Sequence, residues 1–246
     1  MIEYGRSARW YNNYAAEIEF CKRHGFSFMQ IWYKDGALQF DRLTDPAKTI
    51  KEAGFPIIIH ALFDLEDYEK HGQDLLRVLT FLSHKEVIIH PICHTSPITP
   101  DTNGRLAELN QKLTETFFKE GITVYIENNS RLDPVNHTPP EVAAVLENSP
   151  KTELCLDLAH INDYAHLREL VGVKFPTCLH VADKHFGAVH EHSPVGQGDL
   201  DFRYIFSEYL KGFDGKMIFE VVSDNDDDIV DSKTAIHSIL DGSDCI

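Results

Sequence analysis

Short runs of branched aliphatic residues punctuate the chain, and each is followed by a stretch whose apolar positions return at helical spacing. Ile57-Ile58-Ile59 and Val87-Ile88-Ile89 are the clearest runs. Tyr14, Ile18 and Cys21 mark one face of a segment predicted as helix over 11–24. Gly25, Gly54 and Gly121 punctuate the helix ends, and Asp45-Pro46 opens one. The pattern predicts strands over 2–4, 26–33, 57–60, 87–90, 122–127, 153–157, 176–181 and 216–222. Helices are expected between them, over 45–54, 64–82, 101–120, 140–146, 164–170 and 201–210, with a last one over 229–240. Continuous Val/Ile/Leu runs are what parallel strands buried on both faces require. No linker or shift in composition divides the 246 residues. Eight strands alternating with helices over 1–246 predict one α/β domain, a (β/α)8 TIM barrel. A doubly wound open sheet is the rival, but no Gly-rich phosphate fingerprint follows the first strand.

A barrel of this kind gathers its chemistry where strands end. Six successive predicted strands end in His60, His90, Glu127, Asp157, His180 and Glu220. His160 follows Asp157 at i+3, and His190 and His192 follow His180 in a polar loop. That loop closes in Ser193-Pro194-Val195-Gly196-Gln197-Gly198, too rich in Gly and Pro for helix or strand. Imidazole and carboxylate together suit zinc, manganese and similar divalent ions. One His at a strand end is usually a packed structural residue, but a succession of such endings points to a metal site. His24, His71, His84, His137, His166 and His237 are expected at the surface. His94 and His185 fall in loops at the barrel mouth. The run from Asp224 to Asp228 reads as a solvated acidic loop and helix N-terminus.

A formal net charge of −16 opposes extensive binding to a nucleic-acid backbone, which depends on Lys and Arg. Arg6 and Arg9 after the first strand and Lys184 after the seventh are the cations expected to meet a substrate phosphate; the alternative for each is plain surface charge. Five cysteines, Cys21, Cys93, Cys155, Cys178 and Cys245, form no CxxC and are expected as reduced thiols of a cytoplasmic protein. No apolar run approaches the roughly 20 residues of a membrane span, and the first residues lack a signal-peptide pattern. Oligomerisation stays open.

Ile57-Ile58-Ile59-His60, Ile88-Ile89-His90-Pro91, Val124-Tyr125-Ile126-Glu127-Asn128, Leu156-Asp157-Leu158-Ala159-His160, the stretch from His180 to Gly198, and Phe219-Glu220 together resemble the xylose isomerase-like TIM barrels. That family includes endonuclease IV (AP endonuclease family 2) and sugar epimerases. In its epimerase branch, the resemblance implies one divalent metal on Glu127, Asp157, His180 and Glu220, with the two Glu exchanging protons with a sugar. In its endonuclease IV branch it implies up to three zinc ions. His60, His90 and Glu127 would hold the first, Glu127, Asp157, His180 and Glu220 the second, and His160, His190 and His192 the third. His190 stands where that branch usually has Asp. The N-terminal third matches neither branch distinctively.

The full ligand set favours a multinuclear zinc hydrolase of phosphate esters on a small or nucleotide-like substrate, with Glu127, Asp157 and Glu220 as the catalytic carboxylates and manganese as the other possible metal. A sugar or sugar-phosphate isomerase or epimerase is the main alternative, and a metal-stabilised binding protein without turnover the third.

Overall fold

The computed structural model describes residues 1–9, 11–39, 45–133 and 135–243. Its strands are β1 (Glu3–Ser7), β2 (Phe28–Lys34), β3 (Ala37–Leu38), β4 (Ile57–Asp64), β5 (Glu86–Ile92), β6 (Thr123–Glu127), β7 (Glu153–Asp157), β8 (Cys178–Val181) and β9 (Lys216–Phe219). They pair in the order β1-β9-β8-β7-β6-β5-β4-β2-β3, and β1 also pairs with β2. The ring therefore closes through eight parallel strands, with β3 attached outside it by an antiparallel pairing to β2. Around the barrel lie α1 (Tyr14–Arg23), α2 (Pro46–Ala53), α3 (Asp67–Leu82), α4 (Thr102–Lys119), α5 (Pro139–Asn148), α6 (Tyr164–Val173), α7 (Phe202–Tyr204) and α8 (Asp226–Leu240). The predicted helix over 201–210 is really α7 followed by a π turn, Ile205–Tyr209.

Strand alternation sets what the barrel holds. Phe28, Ile58, Ile88, Tyr125, Cys155, Cys178 and Ile218 form one buried apolar layer inside it. Successive side chains on a strand point to opposite faces. The residues two positions further along are therefore inward as well: Gln30, His60, His90, Glu127, Asp157, His180 and Glu220, all buried. A polar ring thus sits directly on an apolar plug. Gly5 of β1 completes the lower layer without a side chain, because a Cβ there would lie 2.4 Å from the Phe28 ring. The intervening residues face outward and pack the helices, as Ile57, Ile59, Val87 and Ile89 do.

Several boundaries differ from the sequence expectation. The third and fourth strands run past His60 and His90 to Asp64 and Ile92, and their ladder continues to the pair Asp64↔Ile92. Asp64 ends β4 rather than opening α3. Its carboxylate accepts hydrogen bonds from His94 N (2.7 Å), Thr95 N (3.0 Å) and Thr95 Oγ1 (2.7 Å), which ties the loop after β5 to the end of β4. The β2–β3 hairpin escaped the reading, although its turn is Asp35-Gly36 with φ of 51° and 80°. Two positive φ angles in a two-residue loop match the twist of paired strands, and Asp-Gly is the preferred dipeptide for it. The eighth barrel strand is shorter than expected, ending at Phe219, though Glu220 N still donates to Val181 O at 3.2 Å. His137 and His166 are buried rather than at the surface. His137 Nδ1 donates to Asn129 O (2.7 Å) and His166 Nε2 to His137 O (3.0 Å), so both are spent holding the loop after β6. Cys21, Cys93, Cys155 and Cys178 are buried and unpaired, and Cys245 lies outside the described residues. No helix among the described residues is long and apolar enough to cross a membrane.

Candidate metal centre

Glu127 is the hub of the polar ring. One of its carboxylate oxygens lies 2.6 Å from His60 Nε2 and 3.1 Å from His90 Nδ1. The other lies 3.3 Å from His180 Nδ1 and 3.4 Å from His160 Nδ1. His180 donates from Nε2 to Gln30 Oε1 at 2.8 Å, and this aims its Nδ1 at the carboxylates. That Nδ1 is 2.9 Å from Glu220 Oε2 and 3.5 Å from Asp157 Oδ2. The ligand atoms of Glu127, Asp157, His180 and Glu220 lie within 4.8 Å of one another, as do those of His60, Glu127 and His180. The trio inferred from resemblance, His60, His90 and Glu127, differs in detail. His90 reaches Glu127 with Nδ1 but turns Nε2 toward Asp133, 3.7 Å away.

The third group is His160, His190 and His192, again within 4.8 Å. His160 Nδ1 donates to Asn128 O (2.9 Å) and His192 Nδ1 to Glu220 O (3.1 Å). Both rings then present Nε2 to each other at 3.4 Å. With each Nδ1–H donated to a carbonyl, the two Nε2 atoms are left facing each other, an arrangement that suits a shared cation. Metal-bound His is oriented by such a hydrogen bond from its second nitrogen. The four-ligand group carries a similar signature: Asp157 Oδ2, His180 Nδ1 and Glu220 Oε2 are buried without a hydrogen bond of good geometry. Buried polar atoms of that kind are costly unless something satisfies them. The donor set fits a divalent metal.

Electrostatics split the two groups. Burial opposes charge on Glu127, but His90, His180 and His60 hold its carboxyl well below the usual range. Burial likewise works against ionised Glu220, yet His180 chiefly pulls its pKa down to about 2. Burial disfavours protonated His90, but Glu127 and Asp133 outweigh it and raise the pKa to about 10. His180 is raised well above its usual value against burial by Cys155, Glu220 and Glu127. His160 behaves oppositely, with burial lowering it to about 4. In the metal-free protein at neutral pH, His90 and His180 hold protons and His160 does not. Filling the four-ligand group should therefore expel the proton of His180 at pH 7. Calorimetry in buffers of different ionisation enthalpy measures this count, and zero protons at full metal content would overturn the assignment. The sign for stability follows. A folded-state pKa above the unfolded one makes His90 stabilising below about pH 6.5, and that stabilisation is lost as pH rises through about 10.

The loop carrying His190 and His192 is held by Asp183. Its Oδ1 accepts from Lys184 N (2.8 Å) and Leu200 N (3.1 Å), and its Oδ2 from Gly196 N (2.8 Å). Asp183 and Ser193 also exchange both backbone hydrogen bonds at 2.8 Å. His192 O accepts from Val222 N at 2.9 Å, anchoring the loop to the segment after β9. His192 is buried, while His190 is more open and lines the mouth of the cavity above the ring. That cavity has a volume of about 510 Å³ and is floored by His90, Glu127, His160, His192 and Glu220.

The sequence profile of the xylose isomerase-like TIM barrels matches residues 18–240. The chain belongs to that family. No curated protein matches it in sequence. Solved structures of similar fold include a D-tagatose 3-epimerase-like protein, 18% identical over 97% of either chain with a TM-score of 0.79. The IOLI protein with a binding zinc atom is 13% identical over 99% of this chain and 100% of the other, with a TM-score of 0.77. Endonuclease IV from Thermus thermophilus is 20% identical over 98% of this chain and 100% of its own, with a TM-score of 0.69. Identities this low carry the fold alone.

In this xylose isomerase-like barrel two of the three expected phosphate cations lie elsewhere. Arg6 is fully buried, 2.9 Å from Glu17 and over the Phe20 ring at 4.4 Å. Gly5 faces inward, so alternation sends Arg6 out toward α1. Lys184 is buried too, its Nζ donating to Ile161 O at 2.9 Å. Arg9 does line the cavity, where its Nη2 donates to Ser223 O (2.8 Å) and its Nη1 meets Asp226 at 2.6 Å. His94, at the mouth, is 2.7 Å from Asp133. His185 is exposed and pairs with Glu191. The sequence reading missed Gln30, Asp133, Asn128 and Asp183. Gln30 had a signal, since it holds on β2 the same inward position that the ligands hold on the other strands. Asp133 and Asp183 sit in loops, where spacing carries no such information.

Proposed function

We propose that this chain is a metal-dependent phosphoester hydrolase acting on a small molecule. The observation that carries the reading is the facing pair of Nε2 atoms on His160 and His192, which builds a second cation position beside the Glu127 group. Zinc is the ion best suited to this mixed imidazole and carboxylate set, with manganese the alternative; when bound, it lowers the pKa of water toward neutrality and offsets phosphate charge. Glu127 reaches His60, His90, His160 and His180 at once, so it fixes the spacing of the ligand groups. Glu220 lies on the cavity floor and stays ionised, so it can accept a proton from an attacking water. Asp157 has a free, buried Oδ2 for the same ensemble. His190 and His94 stand at the rim, where a substrate enters. A cavity of about 510 Å³ is of the size that buries a small ligand, and the net charge of −16 disfavours a long nucleic acid. Buried unpaired thiols are in keeping with a reducing, cytoplasmic setting.

A second reading, a sugar or sugar-phosphate epimerase or isomerase, is favoured by one observation. Glu127 and Glu220 both line the same cavity, one from β6 and one from beyond β9, as a base and an acid exchanging protons with one carbon would need.

Elemental analysis of protein purified without chelator separates the two. The hydrolase reading expects more than one metal per chain and phosphatase activity. A His160→Ala, His192→Ala double variant should then lose about one metal per chain and that activity, while keeping the ion on Glu127, Asp157, His180 and Glu220. One metal in the wild type, unchanged in the double variant and with ketose epimerisation, would select the second reading.

A further inference from the structure

The cavity is divided by strand. Its ionisable floor comes mainly from β6 to β9 and the loops that follow them. The opposite side carries apolar side chains from four consecutive barrel strands, with Ser7, Arg9 and His94 as polar members of the same lining: Ala8 follows β1, Trp32 is on β2, Leu62 on β4 and Ile92 on β5. Trp32, Leu62 and Ile92 stand outside the core beneath, which is filled by the apolar layer two rungs lower. At the rim Leu132, in the loop after β6, and Val222, after β9, line the cavity from the strands that neighbour this wall, 57% and 78% exposed. Trp32 is fixed in place, its Nε1 donating to Ala8 O at 3.2 Å and its ring packed edge-on against His60 at 4.6 Å. Its remaining surface is a rigid apolar panel facing the ligand floor.

We infer that the substrate is amphipathic: a phosphate ester whose alcohol portion is aromatic or branched aliphatic, lying along Trp32, Leu62 and Ile92 and leaving between Leu132 and Val222. The phosphate end rests on the hydrolase reading above; the apolar end rests on the wall. A phosphate on the β6–β9 side places its ester substituent across the cavity, against the β1–β5 side. Burying a phenyl-sized group there supplies affinity that a polyol chain of similar length cannot, because a polyol would lose hydration against aliphatic carbon.

The test pairs two esters whose leaving alcohols are of similar acidity, benzyl phosphate and glycerol phosphate, on protein purified without chelator. The kcat/KM for the benzyl ester should exceed that for the glycerol ester about tenfold or more. A Leu132→Ser, Val222→Ser double variant, altered only at exposed positions, should lower that ratio about fivefold, chiefly through KM. Calorimetric binding of benzylphosphonate against methylphosphonate gives the same comparison without turnover, with about tenfold tighter binding of the benzyl compound expected. Loss of hydrolysis with the phosphonate preference intact would sink the hydrolase reading and leave the amphipathic site standing. Hydrolysis with equal kcat/KM for the two esters, or equal or absent phosphonate binding, would overturn the inference.

Discussion

A Glu127→Gln variant should lose metal and turnover together, with activity down about a thousandfold or more. Gln preserves the size and one acceptor of the side chain but removes the charge that four imidazoles share. His60, His90, His160 and His180 all have a ring nitrogen within 3.4 Å of this carboxylate. Metal affinity falls because the common anionic ligand is gone. The metal-free fold suffers as well, since protonated His90 and His180 lose their counter-charge in a buried site, a loss of about 3–5 kcal/mol. Urea unfolding with chelator present measures the second effect apart from the first. Wild-type metal content in the variant would remove Glu127 from the ligand set.

The second large effect lies outside the ligands. Gly198→Ala would place a Cβ 2.4 Å from both Asp183 Oδ1 and the Lys184 carbonyl oxygen. Neither neighbour can move freely: one is backbone, and the other carries the hydrogen bonds from Leu200 N and Lys184 N. The loop must lift, unpairing buried donors and carrying His190 and His192 away from His160. A cost of about 3 kcal/mol is expected from the clash and the unmade hydrogen bonds. About one metal per chain should be lost, with the Glu127, Asp157, His180 and Glu220 ion retained. An unchanged melting temperature with full metal content would show that the loop has another way to settle.

The barrel was legible because its strands are continuous aliphatic runs, and period-two alternation fixes which of their residues face inward. His60, His90, Glu127, Asp157 and His180 were visible because predicted strands end in them, and alternation in the folded barrel puts them on one inward level. That alternation should also have ruled out Arg6, which is one position out of phase with Gly5. What the sequence did not carry was anything set by side-chain contacts between loops. Asp64 belongs to β4 because of hydrogen bonds from residues thirty positions away. Asp183 organises its loop through Gly196 and Leu200, a closure no local propensity encodes. His137 and His166 read as surface residues because their partners are backbone carbonyls of one irregular segment, and only the folded loop brings them together.

Barrel closure also orders events during synthesis. The last rung of the ring is β9, which zips between β8 and β1, and Glu220 follows it directly. Chains leave the ribosome N-terminus first, so His60, His90 and Glu127 emerge long before the carboxylate that completes the four-ligand group. His192 is oriented by the carbonyl of that same Glu220. On the metal reading proposed above, a nascent chain would offer only part of the ligand set. The four-ligand group would be complete only once the N- and C-terminal strands have met, and an ion held there would act as a latch on a finished barrel rather than a seed for an unfinished one.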